Sequence, residues 1–488
     1  MITTLLQQNI SLFSGKAGPS QAACFWMGSF QVKEGCIGLT LTARFDCGQA
    51  AQLPFCLFDP EGKARLMKAG QTVTNETVIY KVGETESSSG CLSGPMPAGV
   101  WKMLIYKRRM KQDARLTLTV LAEYGQPIRR AEKPIDFDTR CLEKGSRWYQ
   151  GELHTHSQES TGQTPVADVI AAARACGLDY LALTDHFTAA HWPVLDRQYD
   201  GQKPLLLRSM EVSGDRGHMN LHGLSSWMLP LVDDNREITE FLGLTERPTM
   251  QRLAEHTHAQ GGLVCINHPL SGEVGWRYPE FDLRQADLVE IWCMAERDAT
   301  LAYPAFYDML LAKGLRLTAV GSSDSHHPTK PGPWQLGQVR TFIYAEALSQ
   351  QALLDGLKAG HAYISVSGCE MEMTAACGDT SVMMGDELAV PENGAAALTV
   401  TLNRHPKGNL YLYRDGLLEH CQYISDESPI TLTFPVRPAP PGSVGYLRAE
   451  FYEIEGERPY YGYSWRSWQT LRLLSNPIYL RFVEGGRA

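Results

Sequence analysis

Over residues 1 to about 145, apolar and polar residues alternate in short runs such as "GLTLTARFD", "LPFCLFDPEG", "VWKMLIYKRR" and "ARLTLTVLAEY", divided by Gly, Pro, Asn and Asp. Alternation places one face of each strand in a core and the other in water, which predicts an antiparallel β-sandwich. The stretch "EKPIDFDTRCLEKGSRWYQG" reads as the link onward. From 150 to about 365 the pattern changes to wholly apolar strands alternating with helices, which predicts parallel strands joined by crossovers. In "TPVADVIAAARACGLDYLALTDH", Thr164 is placed to cap a helix and Pro165 suits its first position. Val166, Val169, Ile170 and Ala173 form its apolar stripe, and Gly177 ends it. Seven strand candidates follow from this region: "GELHTH", "YLALTDH", "LLLRSMEVS", "HMNLHG", "GLVCINHP", "LVEIW" and "LTAVGSSDSH". After "LSQQALLDGLKAGHAYIS", a capped helix entering a strand, β alternation returns in "AALTVTLNRHP", "NLYLYRDG", "PITLTFPV" and "YLRAEFYEIEG". The expected division is a β-sandwich over 1–146, an α/β unit over 147–366 and a second, Ig-like β-sandwich over 367–488.

Length and charge narrow the class. A chain of 488 residues exceeds one ordinary core. A net charge of -9 without a basic run argues against binding a nucleic-acid backbone. No run of eighteen apolar residues and no signal-peptide pattern is present, so a cytoplasmic protein without a membrane partner is expected. The 12 cysteines include no CxxC pair and read as reduced thiols.

Histidine placement changes the picture most. Of 14 His, eleven lie from His154 to His327. On an extended strand His154 and His156 point the same way. Two such histidines alone mean little, but nearly every predicted strand carries comparable residues at or near its end: Asp185 and His186 in "TDH", Glu211 with His218 and His222 in "MEVSGDRGHMNLHG", His268 in "NHP", and Asp324 with His326 in "SSDSHH". In a parallel α/β barrel the strand ends surround one cavity. Desolvating that many ionisable groups together is costly without a counter-ion, and imidazole with carboxylate suits Zn, Mn or Fe. By contrast, His256 and His258 fall on a predicted amphipathic helix, His327 points away from His326 if the pair is extended, and His361, His405 and His420 lie outside the cluster. Arg216, His191, Trp192, Trp292 and Glu290 follow strand ends and are candidates to line a substrate pocket, with Arg216 able to receive an anionic group.

The order HTH, TDH, E, H, NHP, SDSH resembles the PHP (polymerase and histidinol phosphatase) superfamily of metal-dependent hydrolases over residues 150 to 365. Within it, "GELHTHS", "GSSDSHHP" with the following "PG", and "ALLDGLKAGHAYIS" resemble the CehA/McbA branch, whose members include aryl carbamate ester hydrolases. The resemblance implies a distorted seven-stranded (β/α) barrel. It also implies metal ligands at His154, His156, His186, Glu211, His218, His268, Asp324 and His326, with Glu211 bridging. "HMNLHG" leaves His218 and His222 both open as ligands, and the resemblance favours His218; His222 then joins Arg216 and His191 as a substrate-binding candidate. Glu211, Asp324 and Asp185 are the implied catalytic residues, Asp185 as ligand or orienter. Family members often carry Asp where this chain has Thr161, so two divalent ions are expected, with a third position in doubt. The implied activity is hydrolysis of a small-molecule, anionic ester by activated water: a phosphoesterase first, then a carboxyl or carbamate ester hydrolase. From another class comes a catalytically weakened metal-binding scaffold whose sandwiches bind ligands.

Overall fold

All seven apolar runs singled out in the middle of the chain are strands. In chain order they are Cys141–Thr155, Tyr180–Leu183, Leu205–Gly214, Gly217–His222, Leu263–Asn267, Leu288–Cys293 and Thr318–Ser322, and they lie side by side in that order. The structure, a computed structural model, describes residues 1–12, 25–47, 51–52, 54–68, 72–73, 75–106, 114–126, 140–214, 216–229, 236–245, 247–272, 274–293, 302–330, 335–454 and 469–484. The "PG" dipeptide at 331–332 lies outside them.

Not every neighbour is parallel. The first three strands pair parallel and so do the last three, but Gly217–His222 pairs antiparallel on both sides. The cause is local: it follows Leu205–Gly214 through a tight hairpin, with Gly214 opposite Gly217, leaving no room for a crossover. At the ends of the run, Thr155 bridges Ser325 in parallel, His156 N donates to the Ser325 carbonyl and Asp324 N donates to the His154 carbonyl.

The helix Val166–Ala175 buries Val166, Val169, Ile170 and Ala173, the four residues of its apolar stripe. Its cap differs from the expectation: Pro165 occupies the cap position and no side chain, Thr164 included, caps it. Gln350–Lys358 is capped by Ser349, whose hydroxyl accepts from Ala352 N.

Alternation in the first 125 residues builds two four-stranded antiparallel sheets. One orders Ile2–Leu12, Ala114–Tyr124, Cys36–Cys47 and Thr77–Gly83; the other orders Phe25–Val32, Gly99–Tyr106, Phe55–Phe58 and Ala64–Lys68. They share one core, with Leu39, Leu41 and Leu118 from the first sheet against Phe30, Leu57 and Trp101 from the second.

Hydrogen bonding runs through both expected domain joints. The first central strand begins at Cys141, so the 146/147 boundary falls inside a strand, and the link at 132–151 is in its described part mostly β structure. Its outer neighbour is Val339–Ser349, then Ala362–Val366, which pairs directly with Gln469–Ser475. The large sheet thus runs across the 366/367 boundary into Val444–Ile454, Gly408–Arg414 and Leu417–Ile424. A four-stranded sheet of Thr380–Met383, Glu370–Cys377, Ala396–Arg404 and Ile430–Pro435 packs on that extension, burying Met371, Met373 and Val400 against Leu412, Phe451 and Leu473. Among the described residues no helix is long and apolar enough to cross a membrane.

Candidate metal centre

Strand alternation and the hairpin decide which side chains meet. His154 and His156 project from one face of the first strand, and Glu211 and Ser213 share a face of the third. Because the fourth strand is antiparallel, its first histidine, not its last, reaches the strand ends where ligands gather: His218 lies opposite Ser213, and His222 lies opposite Ser209. The His218 Nδ1 is 3.0 Å from Glu211 Oε1. At the far end, His222 is fully buried with its Nδ1 3.0 Å from Ser209 Oγ. His268 directly follows a strand, Asp324 lies two residues past one, and they adopt φ of 27° and 47°. Non-glycine residues in that region cost about 1–3 kcal/mol and concentrate at functional sites.

Glu211 is the hub. Its Oε2 lies 2.8 Å from His186 Nδ1, 3.4 Å from His156 Nε2 and 3.5 Å from His154 Nε2, while its Oε1 lies 3.7 Å from His268 Nε2. Asp324 Oδ1 is 2.9 Å from His156 Nε2 and 3.3 Å from His154 Nε2. Four overlapping triads each place their donor atoms within 4.8 Å of one another: His154, His156 and Glu211; Glu211, His218 and His268; His154, His268 and Asp324; His156, His186 and His326. All eight expected ligands are therefore brought together. The grouping has the composition and spacing of a divalent-metal site.

A test of fit comes from unmet atoms. His154 Nε2 and His218 Nε2 are buried with no hydrogen-bond partner. Leaving such groups unpaired costs about 1–3 kcal/mol each, which a cation placed among them removes. Electrostatics agree. Burial, helped by the charges of His186 and His326, pushes His156 down to about 3, and burial pushes His218 down to about 4, so both are neutral and ready to donate a lone pair. Burial opposes charge on His154 too, but Asp324, Glu290 and Glu211 outweigh it and raise its pKa well above the usual histidine range. Burial likewise opposes charge on Glu211, yet the surrounding histidines hold it well below the carboxylate range. The cluster thus keeps a proton on His154 that an incoming ion must expel. Below the raised His154 pKa, apparent metal affinity should climb by about tenfold per pH unit for each proton released, measured by chelator competition between about pH 6 and 8. A flat profile would contradict this charge arrangement.

Several sequence candidates fall elsewhere. Asp185 is outside the triads, and its oxygens are committed: Oδ1 accepts from Ser157 N at 2.9 Å and Ser160 Oγ at 2.6 Å, and Oδ2 accepts from Ser157 Oγ at 2.6 Å and faces His191 Nδ1 at 3.3 Å. These bonds tie Asp185 to the loop after His156. His191, expected to touch substrate, is fully buried between Asp185 and the Ser209 carbonyl, and His222 is likewise buried below the cluster. Arg216 is half exposed, paired with Glu280 at 2.5 Å and set over the Tyr278 ring. Trp192 and Trp292 are buried in the main core. His258 stays on its helix and pairs with Asp287 at 2.8 Å, as a surface role predicts.

Other residues matter more than the sequence suggested. Glu290 Oε1 meets His154 Nδ1 at 3.1 Å and its Oε2 accepts from His268 N at 2.9 Å, so one carboxylate steadies two donors. Asn267 Nδ2 donates to Glu211 Oε1 at 3.0 Å, and Ser213 Oγ meets His186 Nδ1 at 2.5 Å. Ser213 was discoverable from its spacing two residues after Glu211. Ser157 and Ser160 carried no such signal. Gly162 lets the ligand loop double back: a Cβ there would lie 2.6 Å from the His156 carbonyl oxygen.

No protein-family model matches the chain, and no curated protein matches it. Among solved structures, it is similar to a two-domain protein from Bacteroides vulgatus containing a domain described as a predicted PHP-like metal-dependent phosphoesterase, at 18% identity over 67% of this chain and 95% of that one, TM-score 0.37. A protein from Bifidobacterium adolescentis described as a metal-dependent phosphoesterase matches at 17% identity, 38% and 90% coverage and TM-score 0.26. An amidohydrolase from Chromobacterium violaceum, with bound sulfate and no metal, matches at 16%, 38% and 93%, TM-score 0.25. Likenesses this distant leave the chemistry to be argued from the site.

Proposed function

We propose that this chain is a PHP-type metal-dependent hydrolase of small-molecule esters, with two divalent ions sharing Glu211. The observation that carries the reading is the convergence of Glu211, Asp324 and six histidines with unmet buried donor atoms. His154, His156, Glu211 and Asp324 would hold one ion; Glu211, His218 and His268 would hold the other. His156, His186 and His326 form a further group without a carboxylate of its own, and the Thr161 that stands where the resembling family often has Asp supports two ions over three. The closure of the seven-strand run by the Thr155–Ser325 bridge supports a barrel of the PHP type. Zn, Mn and Fe all suit this donor set.

When bound, such ions polarise an ester oxygen and lower the pKa of water. The chain's own part is positional. Glu211 holds its charge between five histidines, Glu290 fixes the rings of His154 and the backbone of His268, and Asp185 fixes the loop after His156. A phosphoester is the favoured substrate class, with cytoplasmic location expected. The engagement of Arg216 by Glu280 favours a second reading, an uncharged carboxyl or carbamate ester of the CehA/McbA kind.

Metal-loaded protein assayed side by side on nitrophenyl phosphate mono- and diesters, aryl acetates and aryl carbamates separates the two. Turnover of a phosphoester that disappears on chelation is expected. Turnover of aryl carbamates alone would install the second reading, and no turnover of any ester would sink both.

A further inference from the structure

The N-terminal sandwich reaches the ligand loop itself. Lys68, at the end of the strand Ala64–Lys68, sends its ammonium across the junction to donate to the Gln158 carbonyl and, at 3.1 Å, to Ser89 Oγ. Ser89 Oγ donates to the same carbonyl at 2.5 Å. One residue on, Gly90 N donates to the carboxylate of Glu159 at 2.7 Å. Glu159 is 6% exposed, so an ion placed there is held, not draped over a surface. The fit is tight: at Gly90, whose φ is +77°, a Cβ would lie 2.7 Å from Lys68 Cδ and 3.1 Å from the Glu159 carbonyl oxygen.

What this clasp grips is the segment between a candidate ligand and the residues that orient the site. Gln158 and Glu159 lie two and three residues after His156, between Ser157 and Ser160, the two serines bound to Asp185. There is a second contact: Phe58, Met67 and Leu104 of the sandwich pack in one apolar cluster with Phe187, the residue after His186, and with Ile238. The sandwich therefore contacts the chain close to two donors, at the Gln158 carbonyl two residues after His156 and at the Phe187 side chain next to His186.

We infer that the N-terminal sandwich is an integral part of the centre and that Lys68 is a positioning residue, acting through the Gln158 carbonyl on the His156–Ser160 loop; this rests on the metal-centre reading above. Lys68 touches no donor atom. Its effect is on how well the loop holds His156 and Asp185 in place when an ion binds.

The test compares full-length wild type, Lys68→Met, which keeps the buried stem and loses the donors, and Lys68→Arg, which keeps a donor. Each is titrated with Co²⁺ against a competing chelator, and the visible absorption of the loaded protein is recorded. Partners that hold ligands in place typically change metal affinity by about 10–100-fold when lost, so Lys68→Met should bind Co²⁺ about tenfold more weakly with an altered spectrum. Lys68→Arg should recover most of both. Should Lys68→Met not fold, Ser89→Ala removes the companion donor and should shift affinity the same way by less, with faster amide exchange over residues 157–160. Wild-type Co²⁺ affinity and spectrum in both variants, with at most a lower melting temperature, would overturn the inference while leaving the metal centre intact. A wild type that takes up no Co²⁺ overturns the metal-centre reading and this inference with it.

Discussion

Glu211→Gln should lower ester hydrolysis by about a thousandfold or more and strip metal from the protein, at nearly unchanged volume. Glu211 stands within 4 Å of ring nitrogens from His154, His156, His186, His218 and His268, and accepts from Asn267. An amide removes the negative charge shared by both proposed ions and turns one acceptor into a donor facing imidazole. Stabilisation by bound ions is worth several kcal/mol, and each 1.4 kcal/mol is about tenfold in rate, which sets the expected scale. Rates and bound metal should be measured on the same samples, with circular dichroism as the check on folding. A variant that keeps its metal and its activity would remove Glu211 from the centre.

The second large effect concerns the scaffold. Arg448 is 1% exposed and pairs with Asp308, of the helix Ala302–Ala312, and with Glu450. Its Nε lies 2.6 Å from Asp308 Oδ1. The pair joins that helix to the extended sheet. Arg448→Met preserves bulk but leaves two carboxylates without their counter-ion, Glu450 at 2% exposure among them. Breaking a buried pair from one side costs about 3–5 kcal/mol. Chemical denaturation should show that loss, and Asp308→Asn with Glu450→Gln in the Arg448→Met background should recover much of it. A loss below about 1 kcal/mol would mean that water reaches the carboxylates and screens them.

The parts that were legible in the sequence were those fixed by short-range pattern. Strand alternation in 1–125, the apolar stripe of Val166–Ala175 and the seven apolar runs all follow from local periodicity, and the eight donors could be named because each sits at or beside a strand end. What escaped depended on partners far along the chain. The resemblance favours His218 over His222, but the physical reason that His218 meets Glu211 is the antiparallel hairpin, which strand alternation in "HMNLHG" does not reveal. The sequence leaves Asp185 open as ligand or orienter, and the bonds from Ser157 and Ser160 to its oxygens are not legible there. Arg216 looked available because Glu280 is 64 residues away. One sheet runs from Thr318–Ser322 through to Leu417–Ile424, across the expected joint at 366/367, and a composition shift does not reveal continuous hydrogen bonding.

The central claim is that the His154–His326 cluster holds divalent ions needed for hydrolysis. Elemental analysis of the purified full-length protein, before and after chelation and paired with ester turnover on the same samples, addresses it most directly. The account predicts about two Zn, Mn or Fe ions per chain, loss of turnover when they are removed and its return when one of these ions is restored. A protein that contains no divalent metal and hydrolyses an ester at full rate in chelator would contradict it.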